Sequence, residues 1–142
     1  FSMRIGAQSA EQLKLEIGSA YPLEAERTAE IRGLDTISGI PRRATITSEE
    51  VREALHGPLE AILNCVKQAI VQCHPELVAD LSDTWLVLTG GGALLRGLAP
   101  LMREQLGIAV RVAEEPLTTV ARGAAICLEH FSQWRDSFDS DD

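Results

Sequence analysis

The stretch Trp85-Leu86-Val87-Leu88-Thr89-Gly90-Gly91-Gly92-Ala93-Leu94-Leu95-Arg96-Gly97 decides the fold. Residues 85–89 form a continuous run that suits a strand covered on both faces. Three consecutive glycines follow. Leu94, Leu98, Leu101, Met102 and Leu106 then recur at helical spacing, with Pro100 early in the helix and Gly107 ending it. Residues 108–112 read as a second strand, so the segment predicts a β-α-β unit with a right-handed crossover. A glycine run between strand and helix leaves backbone N–H groups unobstructed and lets a ligand approach the main chain closely. The helix N-terminus adds partial positive charge. Phosphate or ribose is the natural guest, and a tight turn with no ligand is the plainer alternative.

The glycine spacing separates the nucleotide motifs. Gly92 and Gly97 have the spacing of a P-loop, but Leu98 and Ala99 stand where that loop needs Lys and Ser or Thr, so neither phosphates nor Mg²⁺ would be held. Gly90 and Gly92 begin a dinucleotide fingerprint whose third glycine is replaced by Leu95. Glu114, after the second strand, stands where a ribose-binding acid would, which keeps a Rossmann dinucleotide-binding enzyme as an alternative. Thr89-Gly90-Gly91-Gly92-Ala93 is most similar to the adenosine motif of the actin, Hsp70 and sugar-kinase superfamily.

Around this centre, residues 8–17 read as a helix on Ala10, Leu13 and Ile17, stopped by Gly18. Residues 27–33 and 42–46 alternate apolar and polar side chains and predict an antiparallel hairpin whose link carries Gly33, Gly39 and Pro41. Thr47 and Glu50 form a capping box, and a long helix follows to about Gln72. Its apolar stripe is Val51, Leu55, Leu59, Ile62, Val66, Ile70 and Cys73, and Pro58 predicts a kink or a break near Gly57. Pro75 ends that segment, with one short turn over 76–80. Pro116 opens the last helix.

The chain has 142 residues, 45% of them apolar and 4% aromatic, so its core must be aliphatic. A net charge of −8 argues against duplex nucleic acid and against electrostatic docking on anionic lipid. No apolar run reaches the ~20 residues that span a bilayer. No signal peptide is recognisable. Residues 136–142 read as a disordered acidic tail. Cys65 and Cys73 lie eight positions apart on one helix, ~12 Å at 1.5 Å rise per residue, too far for a disulfide. With Cys127 they read as small, reduced core residues of a cytoplasmic protein. His56, His74 and His130 are scattered and make no metal site.

Further segments resemble, in order, the MreB family of bacterial actin-like, rod-shape-determining proteins. They are Ile5-Gly6, Ala10-Glu11, Leu13-Lys14, Glu16 to Pro22, Arg32-Gly33, Gly39 to Arg42, Leu88 to Arg96, Glu115 to Thr118 and Val120 to Gly123. The resemblance implies an α/β fold, a partial actin-like (ribonuclease H-like) ATPase lobe with a small α+β subdomain inserted. Residues 1–18 would belong to the large nucleotide-binding subdomain, 19–73 to the small subdomain with hairpin and long helix, and 74–135 to the large subdomain with the adenosine motif.

The resemblance also implies an ATP or ADP site. Glu11 and Lys14, three apart on one helix face, would reach ribose and adenine, although a solvated ion pair is their ordinary reading. Gly90, Gly91 and Gly92 would border the phosphates, Ala93 and Leu94 would cover the base, and Arg96 would stack on it or pack its stem. Arg122 would serve structure. The two phosphate loops of such ATPases do not occur here, and Asp35 in Asp35-Thr36-Ile37 is not the second of them. Mg²⁺ would be held mainly by the missing lobe, and this chain alone is expected to be inactive in hydrolysis. The parent is expected to be a cytoplasmic, membrane-associated filament protein that organises cell-wall synthesis. Its expected partners are its own copies, the cell-wall elongation machinery and membrane proteins, without nucleic acid. A fragment of an Hsp70-type chaperone or of a sugar kinase is the neighbouring alternative.

Overall fold

A computed structural model describes residues 2–138. The chain runs β1 (Met3–Arg4), α1 (Ala7–Ile17), β2 (Thr28–Asp35), β3 (Pro41–Thr47), α2 (Ser48–Gln72), α3 (Pro75–Asp83), β4 (Leu86–Leu88), α4 (Leu98–Leu106), β5 (Val110–Val112), α5 (Thr119–Glu129) and α6 (Phe131–Phe138). A 3-10 turn over Gly91–Leu94 separates β4 from α4. One sheet is antiparallel in the order β1-β2-β3, and the other pairs β4 with β5 in parallel, Leu86 against Val110. The β-α-β reading of residues 86–112 therefore holds.

Two apolar clusters hold these elements. The first joins Leu13 and Ile17 of α1, Ile31 of β2 and Val51 of α2. The second joins Leu59 and Leu63 of α2 to Leu98, Ala99 and Met102 of α4, Val110 of β5 and Ala20. Leu55 packs against both, so α2 is the beam that connects them. Its N-terminus carries the expected capping box, Thr47 accepting from the Glu50 N–H and Glu50 accepting from the Thr47 N–H. The expected break at Pro58 does not occur: α2 is continuous through it. Burial of Leu59 and Leu63 just beyond the proline outweighs the ~3 kcal/mol that a helix-interior proline costs.

Several other boundaries differ from expectation. Gly33 lies inside β2, because the backbone of β1 crosses so closely that a Cβ there would meet the Arg4 carbonyl at 2.5 Å. The hairpin link is thus shorter, and Asp35 organises it, accepting from the N–H groups of Ile37 and Ser38 and from Arg42. Residues 75–83 form a full helix with Pro75 at its start rather than a single turn. The helix after the glycine triplet begins at Leu98 because Gly97 adopts a left-handed conformation, φ 75°. The last helix starts at Thr119, and α6 extends to Phe138, so the acidic tail expected from Asp136 begins inside a helix. Residues 139–142 lie outside the described residues.

The cysteine reading fails in one respect. All three are free, but Cys65 and Cys73 are exposed and Cys127 only partly covered. Leu63, absent from the stripe read off the sequence, takes the buried position instead. Coverage of β4 on both faces is also not met: Trp85 and Val87 are exposed, with the Arg111 guanidinium 4.3 Å from the Trp85 ring.

Candidate functional site

A cleft of about 990 Å³ opens between α1, α2, α4 and the glycine turn. Glu11, Lys14, Gly91, Gly92, Ala93, Leu94 and Arg96 all line it, so one concavity gathers residues far apart in the chain. Gly90 is not in the wall. Its N–H donates to the Pro116 carbonyl at 2.7 Å, and the Thr89 hydroxyl donates to the same oxygen at 3.1 Å. The turn before α5 thereby pins the start of the glycine loop. Glu115 steadies that turn by accepting from Arg122 at 2.8 Å and from Thr118. Arg122 is exposed and pairs with Glu115 at the start of α5.

The two following glycines are different. Among the described residues the N–H groups of Gly91 and Gly92 have no hydrogen-bond partner, and both residues are exposed in the cleft wall. Two adjacent unpaired donors beside an apolar wall suit an anionic or hydroxyl-bearing ligand. In the same cleft, Lys14 and Glu11 form an ion pair of 2.8 Å, both side chains more than a third exposed. Such a pair adds little stability, and its groups are free to re-pair with a ligand. Ala93 is buried, whereas Leu94 stands half exposed at the mouth.

Arg96, while lining the cleft, also braces the neighbouring chain. Its guanidinium donates to the Gly18 carbonyl at 3.2 Å, and its own carbonyl accepts from the Ala20 N–H at 2.7 Å. These bonds lay residues 18–21 alongside residues 96–97. Gly97 is required there, since a Cβ would lie 2.6 Å from the Tyr21 Cβ. Arg52 of α2 fastens the strap from the other side, donating to Ser19 Oγ at 3.0 Å, to the Tyr21 carbonyl at 3.2 Å and to Glu26 at 2.6 Å. Glu26 also accepts from the fully buried Ser48 hydroxyl. Bonds from Ser48 and Arg52 hold the Glu26 carboxyl below the usual carboxylate range.

Sequence reasoning missed three parts of this frame. They are the Ser19–Arg52–Glu26 clasp, the Thr89–Pro116 pin, and the α2 face of Leu55, Pro58 and Ile62 that forms the apolar wall. The Pro58 irregularity was the one available signal. Among the described residues no three His, Cys, Asp or Glu side chains cluster to hold a metal ion, and no helix is long and apolar enough to cross a membrane.

This architecture, a β-α-β unit with a glycine turn facing a helix across a cleft, is that of the actin-like class. The family described as MreB/Mbl protein matches residues 1–136, and the chain belongs to it. The chain is 52% identical over 125 residues to the cell shape-determining protein MreB of Escherichia coli K12, covering 88% of this chain and 36% of that protein. It is 38% identical over 133 residues to the cell shape-determining protein Mbl of Bacillus subtilis 168, covering 94% and 40%. The crystal structure of MreB5 of Spiroplasma citri bound to AMPPNP superposes with a TM-score of 0.89 at 29% identity, covering 96% of this chain and 41% of that one. The chain thus spans well under half the length of these relatives. Family membership removes the Rossmann, chaperone and sugar-kinase alternatives.

Proposed function

We propose that the cleft binds the adenosine part of ATP or ADP. The observation that carries this reading is the gathering of Glu11, Lys14 and the two unpaired glycine N–H groups in one concavity. Glu11 accepts from ribose hydroxyls and Lys14 reaches the sugar and base. Gly91 and Gly92 donate toward the α-phosphate end, and Gly90 shapes the loop through its bond to Pro116. Ala93 and Leu94 cover the base, while Arg96 packs its stem and braces the strap. The likeness to a relative crystallised with AMPPNP supports the ligand class.

The division of labour within the parent follows. Residues 1–18 and 74–135 belong to the large nucleotide-binding subdomain and 19–73 to the small one, with α2 spanning both cores. The ion and the β/γ-phosphates are held mainly by the lobe of the parent that carries the two phosphate loops. This chain alone binds nucleotide weakly and does not hydrolyse it. The parent is a filament-forming, membrane-associated cell-shape protein. Its nucleotide state sets assembly and so guides the cell-wall elongation machinery, and the hairpin subdomain takes part in subunit contacts along the filament.

Titration of the chain with a fluorescent ADP analogue tests the site. Saturation below the millimolar range, weakened at least tenfold in Lys14→Ala, is expected. A flat titration to millimolar concentration removes the assignment.

A further inference from the structure

Hairpin turns ordinarily carry polar residues and glycine at their tips. The turn between β2 and β3 does not. Ile37 is 85% exposed and Ile40 60%, and Leu34 behind them is also open to solvent. The backbone of this turn is satisfied from within. The Asp35 carboxylate accepts from the N–H groups of Ile37 and Ser38 at 2.9 Å each. The Asp35 carbonyl accepts from the Gly39 N–H at 2.9 Å, and the Asp35 N–H donates to the Ile40 carbonyl at 3.0 Å. Arg42 neutralises the carboxylate at 3.1 Å. A tip whose polar groups are paired inside the turn leaves water at small cost.

Behind the tip the charge changes sign. The chain as a whole carries −8, but the arginines of β2 and β3 outnumber their carboxylates. Asp35 is taken by Arg42, and Glu30 is shared between Arg32 at 3.6 Å and Arg43 at 3.3 Å. Arg32 and Arg43 stand directly opposite each other in the ladder, a like-charged pair that costs the sheet stability. Both are well exposed, and with Leu34, Pro41 and Arg42 they line a hollow of about 470 Å³. Arg42 and Arg43 follow Ile40 by two and three residues, ~7–10 Å at strand rise. That is about the ~5–10 Å to which interfacial segments bury.

We propose that the β2–β3 tip is a lipid-contacting surface, Ile37 and Ile40 entering the acyl boundary of an anionic bilayer while Arg32 and Arg43 engage lipid phosphates. The inference is independent of the nucleotide cleft and builds on the membrane association proposed for the parent, to which it gives a contact within this chain. A protein partner would need an apolar socket ringed by acids to receive this protruding tip. A bilayer receives it without a matching cavity, and the excess guanidinium charge finds its counterion in the headgroups.

Flotation of the full chain with vesicles of equal parts phosphatidylcholine and phosphatidylglycerol, and with phosphatidylcholine alone, tests this. The wild type is expected to bind the anionic vesicles at least tenfold more tightly than the neutral ones, less so as salt rises. Ile37→Ser with Ile40→Ser should weaken that binding at least tenfold. Arg32→Gln with Arg43→Gln should do the same and remove most of the salt dependence. Neither pair should lower Tm, since the isoleucines are exposed and the arginines repel each other. No binding by the wild type overturns the proposal while leaving the parent free to reach a membrane through its other lobe. Equal binding to both vesicles, or binding unchanged in either double variant, overturns it too. So does loss of self-association alone in the isoleucine variant, read by analytical ultracentrifugation, which would make the tip a contact between copies.

Discussion

Gly97→Ala should be far more damaging than its small size suggests. Residue 97 has φ 75°, and the left-handed region costs an L-residue roughly 1–2 kcal/mol. The added methyl would also lie 2.6 Å from the Tyr21 Cβ and 2.8 Å from the Tyr21 nitrogen. Tyr21 cannot retreat freely, because its carbonyl accepts from Arg52 and residues 19–20 are bonded to Arg96. Overpacking against fixed backbone adds ~1–3 kcal/mol, for a total of about 2–5 kcal/mol. Gly107→Ala supplies the control, since φ is 69° but nothing lies within 4 Å of a Cβ there. It should cost only the conformational part, roughly 1–2 kcal/mol. Urea denaturation of both variants, followed by Trp fluorescence and circular dichroism, measures the difference. Equal losses at the two positions would refute the claim that the strap over residues 18–21 and the loop at 96–97 are in enforced contact.

Further outcomes follow from the same structure. Met102→Ala, at 2% exposure in the centre of the α2–α4 cluster, should cost ~2–5 kcal/mol of unfolding free energy, measured in the same denaturation assay. Thr47→Ala removes the side-chain half of the α2 capping box and should cost ~1 kcal/mol. The Asp35 carboxyl is held at about 2, below its ordinary 3.8, by N–H bonds from Ser38 and Ile37 and by Arg42. A depressed carboxylate contributes fully above the unfolded value. Its contribution should therefore be lost as pH falls from about 3.8 toward 2. In Asp35→Asn that part of the acid destabilisation should be reduced, read from Tm against pH.

The sequence by itself determined every element whose signal is local. The capping box at Thr47 and Glu50, the Gly107 stop, the β-α-β unit around the glycine triplet and the alternation of the hairpin all depend on neighbours within a few residues. Most of the residues that line the cleft were also legible, because glycine triplets and an acid and a lysine three apart on a helix are composed of adjacent letters. Only the tertiary structure decided which glycine N–H groups stay free, since the bond that occupies Gly90 comes from Pro116, 26 positions away. Only the tertiary structure kept α2 continuous through Pro58, because the burial that overrides proline's cost is supplied by α4 and β5. The same holds for Arg96, whose bond to a carbonyl 78 positions distant no short window reveals. Local propensity depends on a few dihedral angles and so can be read from short windows. A hydrogen bond or a buried face depends on what the folded chain brings alongside.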